Sequence, residues 1–236
     1  MIQFFIAASL CITSPSLLSQ MNRTGFLQPN RYPFHSQAGQ DYFAYLMLYE
    51  ILGQRQPGHY LEIGAGDPIH INNSCFFEKS LNWYGVSIDI DPRFSAAWAA
   101  HRHNPLLICD ATQADYAAIL RGFPANIDYL SLDVDAHYDA VLEQLPLDQY
   151  RFKVITIEHD AYRFGDLYRA KEREMLSNLG YHLLCADVTI APDTVFEDWW
   201  IHPDFFPSDT LDALTALPLS GKNYNAMILL LQDFLR

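Results

Sequence analysis

Glu62, Gly64 and Gly66 fall in the pattern Glu-x-Gly-x-Gly, directly after the strand-like stretch from His59 to Ile63 and just before Asp67. A buried strand that runs into a glycine turn opens room for a nucleotide-like ligand at the carboxyl edge of a sheet. The glycines let the backbone turn with positive φ and approach the ligand without a Cβ in the way. A dinucleotide-binding turn wants Gly or Ala three residues after the second glycine, where a pyrophosphate meets a helix. Ile69 stands there, preceded by Pro68. An acid before the first glycine also suits a ligand with an amino group better than an anionic pyrophosphate. The pattern points to S-adenosylmethionine rather than NAD, against the plainer alternative of a tight strand-to-helix turn.

Further acids recur at the ends of apolar runs. The strand pattern predicts Tyr60–Ile63, Tyr84–Asp89, Pro105–Cys109 followed by Asp110, Ile127–Leu132 followed by Asp133, and Phe152–Ile157 followed by Glu158. Helical spacing predicts Tyr42–Leu52, Asn73–Leu81, Pro92–Arg102, Ala114–Arg121, Tyr138–Leu145 and Leu167–Leu179. Tyr181–Ala186 and the apolar run Ala226–Leu231 are expected as strands six and seven. Alternation of this kind means a mostly parallel sheet covered on both faces, whose strand ends share one crevice. Asp at strand-to-helix loops also serves as a helix N-cap, which accounts for some of these acids and not for all of them.

Composition narrows the partners. The chain has 236 residues, enough for one α/β domain. A net charge of −13 with 15 Lys and Arg leaves no basic face for phosphate neutralisation, so no nucleic-acid substrate is expected. A neutral substrate such as a sugar fits better. The four cysteines form no Cys-x-x-Cys pair, which disfavours a zinc knuckle and favours a reducing, cytoplasmic address. Phe4–Ile12 is apolar, but no Lys or Arg precedes it, and it falls short of the roughly 20 residues of a membrane span. It is expected as part of a helical extension over residues 1–35, with a secretory signal as the alternative. The remaining domain is expected over 36–236, with 187–222 as an insertion beside the acceptor.

Jointly, Ser36-Gln37-x-Gly39-Gln40-Asp41, Tyr60–Asp67, Trp83–Asp89 with Pro92, Ile127–Asp135 and Val154–His159 resemble the FkbM family of class I S-adenosylmethionine-dependent methyltransferases. The resemblance implies a seven-stranded, mostly parallel Rossmann-like methyltransferase sheet with helices on both faces. It implies that Glu62, Gly64 and Gly66 hold the methionine moiety, Asp89 the ribose hydroxyls and Asp110 the adenine amino group. Two positions depart from the family: Asp89 stands where Glu is usual, and Asp133-Val134-Asp135-Ala136-His137 lacks the family's glycine.

The expected reaction is transfer of a methyl group to a hydroxyl, on a sugar, glycan or small molecule. A hydroxyl needs help losing its proton. Asp133, His137 and His159 are the candidates, with His137 or His159 as base and Asp133 orienting it. A metal version would use Asp133, Glu158 and Asp160 around Mg²⁺. Trp199 and Trp200, flanked by acids, are a candidate sugar platform or else core residues. A non-catalytic module of the same fold, or an NAD-dependent Rossmann enzyme, are the alternative readings.

Overall fold

The computed structural model describes residues 34–236, which lie within one unit of the chain; the expectations for residues 1–33 fall outside the described residues. Seven strands form a single sheet: β1 His59–Ile63, β2 Tyr84–Asp89, β3 Leu106–Ile108, β4 Asn126–Leu132, β5 Arg151–Glu158, β6 His182–Ala191 and β7 Thr194–Ile201. Their order across the sheet is β3-β2-β1-β4-β5-β7-β6. The first five run parallel, and β7 is antiparallel to both β5 and β6. This is the seven-stranded, mostly parallel Rossmann-like methyltransferase sheet that the sequence implies.

The central strands are apolar on both faces because helices cover both. Leu61, Ile63, Leu130, Leu132, Ile155 and Ile157 are fully buried. The helices are α1 Gln40–Tyr45, continuing as a π-helix over Leu46–Ile51, α2 Cys75–Leu81, α3 Ser95–His101, α4 Tyr116–Ile119, α5 Tyr138–Gln144, α6 Ala161–Phe164, α7 Arg169–Asn178, α8 Ser208–Thr215 and α9 Tyr224–Phe234. Among the described residues, no helix is long and apolar enough to cross a membrane.

The predicted order of elements holds through α7, and the C-terminal part differs. Ala226–Leu231 is not a strand but the middle of α9. Asn223 caps that helix by accepting from the Asn225 N–H, and Met227, Ile228 and Leu231 form its buried face. The seventh strand is instead β7, inside the segment expected as an insertion. β6 and β7 form a hairpin around Pro192 and Asp193, with Asp193 at φ 60°. Residues 187–222 therefore carry the end of β6, all of β7 and then α8, and are not an appendage beside the sheet.

Candidate functional site

The chain reverses direction across the sheet between β1 and β4: β2 and β3 lie on one side of β1, β4 and β5 on the other. At such a switch point the loops leaving neighbouring strands diverge and leave a crevice. Here it is a cleft of about 700 Å³. Gly64, Gly66, Asp89, Asp110, Asp133 and His137 all line it.

The two glycines serve different ends. Gly64 sits at φ 85°, and a Cβ built on it would lie 1.6 Å from the Asp133 carbonyl oxygen. The Gly64 and Ala65 N–H groups both donate to Ile88 O, at 2.9 and 3.1 Å, which ties the turn to β2. Gly66, at φ 56°, has no atom within 4 Å of the place its Cβ would take. It borders open cleft. Its N–H donates to Asp89 Oδ2 at 2.6 Å, and its carbonyl accepts from Trp98 Nε1 at 3.0 Å. Asp89 Oδ1 takes the Asp91 N–H at 2.7 Å. Each carboxylate oxygen keeps a further lone pair, so Asp89 is oriented by the backbone and still able to accept from a ligand.

Asp110 lies on the same wall. Its Oδ1 accepts from Thr112 N at 2.9 Å and Thr112 Oγ1 at 2.7 Å, and these bonds hold its carboxyl below the ordinary range. Between the two acids, Ile90 lines the cleft while 69% exposed. An isoleucine left that exposed beside two acceptors offers an apolar face to a flat ring. Sequence reasoning missed it; its signal is the apolar residue directly following the acid that ends β2.

Glu62 is elsewhere. Strand alternation turns its side chain away from the cleft, and the carboxylate is buried. It accepts from Asn73 N and Ser74 N at 3.0 Å each, from Ser74 Oγ at 2.7 Å and from Ser87 Oγ at 2.8 Å. With its lone pairs so engaged, Glu62 is a clamp on the loop before α2, not the contact to an amino group that the resemblance implies. Arg102, unremarked in the sequence, braces the same loop. Its guanidinium donates to Glu78 Oε2 at 2.7 Å, Pro68 O at 3.0 Å, Asn72 Oδ1 at 2.9 Å and Ser74 Oγ at 2.8 Å, and lies over the Trp98 ring.

Beyond Asp133 the cleft meets a group of acids. Asp133 and Glu158, at the ends of adjacent strands, approach within hydrogen-bonding range of each other. Glu197 on β7 is the register partner of Glu158. Burial first, and then repulsion from nearby carboxylates, raises all three carboxyls above the ordinary range; those neighbours are Asp135, Asp160 and Glu62 for Asp133, and Asp133, Glu197 and Asp160 for Glu158, while hydrogen bonds from Trp199 and Gln40 partly oppose the rise at Glu197. The loop between β4 and α5 is held in an unusual backbone, with Asp135 at φ 60° and His137 at φ 62°. His137 is exposed at the cleft, its ring edge-on to Tyr168 at 5.6 Å.

Other predicted site residues are not in the cleft. His159 is fully buried. Its Nδ1 accepts from the Ala161 N–H at 3.1 Å and its Nε2 faces Asp198 at 3.5 Å, so it cannot act as a base on a substrate in the cleft. Trp199 and Trp200 are also completely buried, towards the end of β7. Trp199 stacks on Phe43 with 4.6 Å between centroids, and Trp200 Nε1 donates to Glu172 Oε1 at 2.8 Å. They are core residues and offer no face to a sugar.

The Mg²⁺ set does not assemble either. Among the described residues, the group whose ligating atoms gather within 4.8 Å is His159, Asp187 and Asp198, not Asp133, Glu158 and Asp160. That gathered group is already neutralised. Arg173 bonds Asp198 Oδ2 at 2.7 Å and Asp187 Oδ1 at 2.6 Å, and Arg169 bonds Asp187 Oδ1 at 2.6 Å. Burial alone would raise the Asp198 carboxyl, but the contacts from His159 and Arg173 outweigh it and hold the group low. It is an ion-pair network under α7.

No family model matches the chain, and no curated protein does. Solved structures do match. An O-methyltransferase from Bacillus cereus in complex with SAH superposes with a TM-score of 0.50 at 14% identity, covering 79% of this chain and 84% of that one. The cofactor-bound Rv0187 from MTB superposes with a TM-score of 0.51 at 14% identity, covering 82% and 92%. At that identity the likeness is one of fold.

Proposed function

We propose that this protein is an S-adenosylmethionine-dependent methyltransferase that O-methylates a hydroxyl of a sugar or other small acceptor. One observation carries the reading: at the switch point of this sheet, two backbone-exposing glycines, two oriented carboxylates and an exposed isoleucine converge on one cleft. That donor set fits the cofactor. Gly66 leaves open space where a side chain would stand, Asp89 and Asp110 present acceptors to hydroxyl and amino donors, and Ile90 presents an apolar face. The Bacillus cereus relative in fold, an O-methyltransferase bound to SAH, supports the same reading. The likeness in motifs to the FkbM family is its finer form.

S-adenosylmethionine supplies a methyl group already activated on a sulfonium. The chain's own residues have to align an acceptor oxygen in line with that methyl and take its proton. Alignment can supply several kcal/mol of the barrier. His137, exposed at the cleft on a constrained backbone, is the base that accepts the hydroxyl proton at an imidazole nitrogen. Asp133, across the same loop, orients the acceptor. The acids do not gather as a Mg²⁺ site requires, so no metal step is invoked.

Calorimetric titration with SAH, S-adenosylmethionine and, separately, NADH tests the proposal. Micromolar binding of the sulfur ligands, weakened tenfold or more by Asp89→Ala, is the expected outcome. Binding of NADH alone would revive the dinucleotide reading, and a folded protein that binds none of them would sink the methyltransferase.

A further inference from the structure

The amino ends of the strands carry a second cavity, on the opposite edge of the sheet from the cleft. It measures about 460 Å³, a size that suits a small ligand. Its walls are residues 54–57 in the connection into β1, the start of β4, Lys153 of β5 and Phe205 in the turn after β7.

Donors and acceptors are unequal here. Asp128 is the acid on the lining, and both of its oxygens are engaged: Oδ2 takes the His59 N–H at 2.7 Å and Oδ1 takes Lys153 Nζ at 2.6 Å. The cations are not used up in the same way. An ammonium has three N–H groups, and beyond Asp128 Lys153 has a 3.5 Å contact to Gln54 Oε1. Arg55 forms no ion pair among the described residues. Its Nη1 donates to Tyr49 O at 2.9 Å and Gln54 O at 2.8 Å, which fixes the guanidinium, while its Nε and Nη2 groups meet no acceptor among the described residues. The side chains of Gln56 and Asn126, both exposed on the rim, likewise bond to no described residue.

The remaining wall is apolar. Phe205 stands there with Lys153 Nζ and Arg151 Cζ each 5.9 Å from its ring centroid, and Pro57 is exposed at the rim. Unused donors, an acid already satisfied and an apolar wall match a ligand that is anionic at one end and apolar at the other. A guanidinium fork takes two oxygens of a carboxylate or phosphate in parallel, and an ammonium adds a point charge. Such a concentration of donors stands out in a chain of net charge −13.

We propose that this cavity binds a small organic oxyanion, a carboxylate or a phosphate monoester, whose charged end meets Arg55 and Lys153 and whose apolar body lies against Phe205 and Pro57. The site is independent of the methyltransferase reading, and its occupant does not compete with a ligand in the cleft.

The experiment is an amide chemical-shift titration of the full chain with benzoate, phenyl phosphate and neutral benzyl alcohol at millimolar concentration. At least one anion should shift the Gln56, Asn126 and Lys153 N–H signals, leave those of Gly66 and Asp89 in place, and bind at least about tenfold more tightly than benzyl alcohol. The stronger of the two anions identifies the oxyanion. Arg55→Gln and, separately, Asn126→Asp should each weaken that binding about fivefold or more, with the circular dichroism of the parent. Asn126 is exposed and its side chain unbonded, so Asn126→Asp decides the matter even where Arg55→Gln disturbs the fold. No shift from either anion, equal binding of benzyl alcohol, affinity unchanged by Asn126→Asp, or displacement of the anion by SAH would overturn the proposal. So would tenfold tighter binding of a single-stranded oligonucleotide at the same amides, which would make this face a nucleic-acid surface.

Discussion

Replacing Gly64 and Gly66 by alanine, one at a time, separates what the glycine turn does for the fold from what it does for the ligand. At Gly64 the new Cβ would stand 1.6 Å from the Asp133 carbonyl oxygen, and reaching ordinary contact needs a shift of about 1.8 Å. The β4–α5 loop would have to move, which endangers the Asp133 N–H bond to Ile63 O at 2.8 Å. Three costs combine: about 1–2 kcal/mol for a left-handed backbone, about 0.5–1.5 kcal/mol for the hydrogen bond, and about 1–3 kcal/mol for overpacking. Gly64→Ala should therefore lose about 3–5 kcal/mol of unfolding free energy. Gly66→Ala meets nothing within 4 Å and carries only the backbone cost of about 1–2 kcal/mol, but its methyl enters the cleft. It should keep most of its stability and lose at least about tenfold in SAH affinity, near 1.4 kcal/mol. Urea unfolding followed by far-ultraviolet circular dichroism gives the first quantity, and calorimetry the second. Equal destabilisation by both alanines, or normal SAH binding by Gly66→Ala, would refute the division of labour.

Other consequences can be measured on the same material. Arg102→Met strands Glu78 and removes three further bonds to the loop before α2, so it should cost about 3–5 kcal/mol in urea unfolding; a loss under 1 kcal/mol would mean that the loop is braced by Glu62 alone. Trp199→Ala should lower stability by about 3–5 kcal/mol, as for a core aromatic; selective loss of acceptor binding at full stability would restore the platform reading. Asp133, Glu158 and Glu197 hold protons in the native state at pH values where the unfolded chain has lost them. Their contribution is thus present in full below the ordinary carboxylate range and fades as pH rises through their raised native values. Tm should fall between pH 5 and pH 8, and Glu197→Gln should flatten that fall; an unchanged slope would show that Glu197 does not take part.

Much of this was legible in the residues, and the failures have physical causes. β1, β2, β4 and β5 are buried on both faces, so each reads as an apolar run, closed by an acid in β2, β4 and β5 and by Gly64 in β1. The cleft residues followed, because a parallel sheet brings those ends together. Glu62 was misassigned because a motif records an acid's place in the chain and not which side of the strand it faces. β7 was missed since Phe196, Trp199 and Trp200 are buried on both sides of the sheet among charged Glu197 and Asp198, which hides any alternation. The Pro192-Asp193 turn was its visible signal. Ala226–Leu231 looked like a strand for want of polar residues, yet Asn223 and the spacing of Met227 and Leu231 already spelled a capped helix. The pairing of Glu158 with Glu197 could not be foreseen, because it depends on β7 lying beside β5.

The late arrival of β7 has a consequence for synthesis of the chain. Strands β1 to β5 can pair as soon as residues up to 158 have left the ribosome, whereas the strand that closes the far side of β5 spans Thr194–Ile201. Until then the nascent sheet carries β5 as an open edge, with unpaired backbone groups along a hydrophobic run from Phe152 to Ile157. At about 5–20 residues per second, that edge stays bare for a few seconds per molecule. Chaperone demand and inclusion-body formation on overexpression should track the number of such bare edges present at once, so slower initiation, which leaves each interval unchanged but lowers that number, should raise the soluble yield.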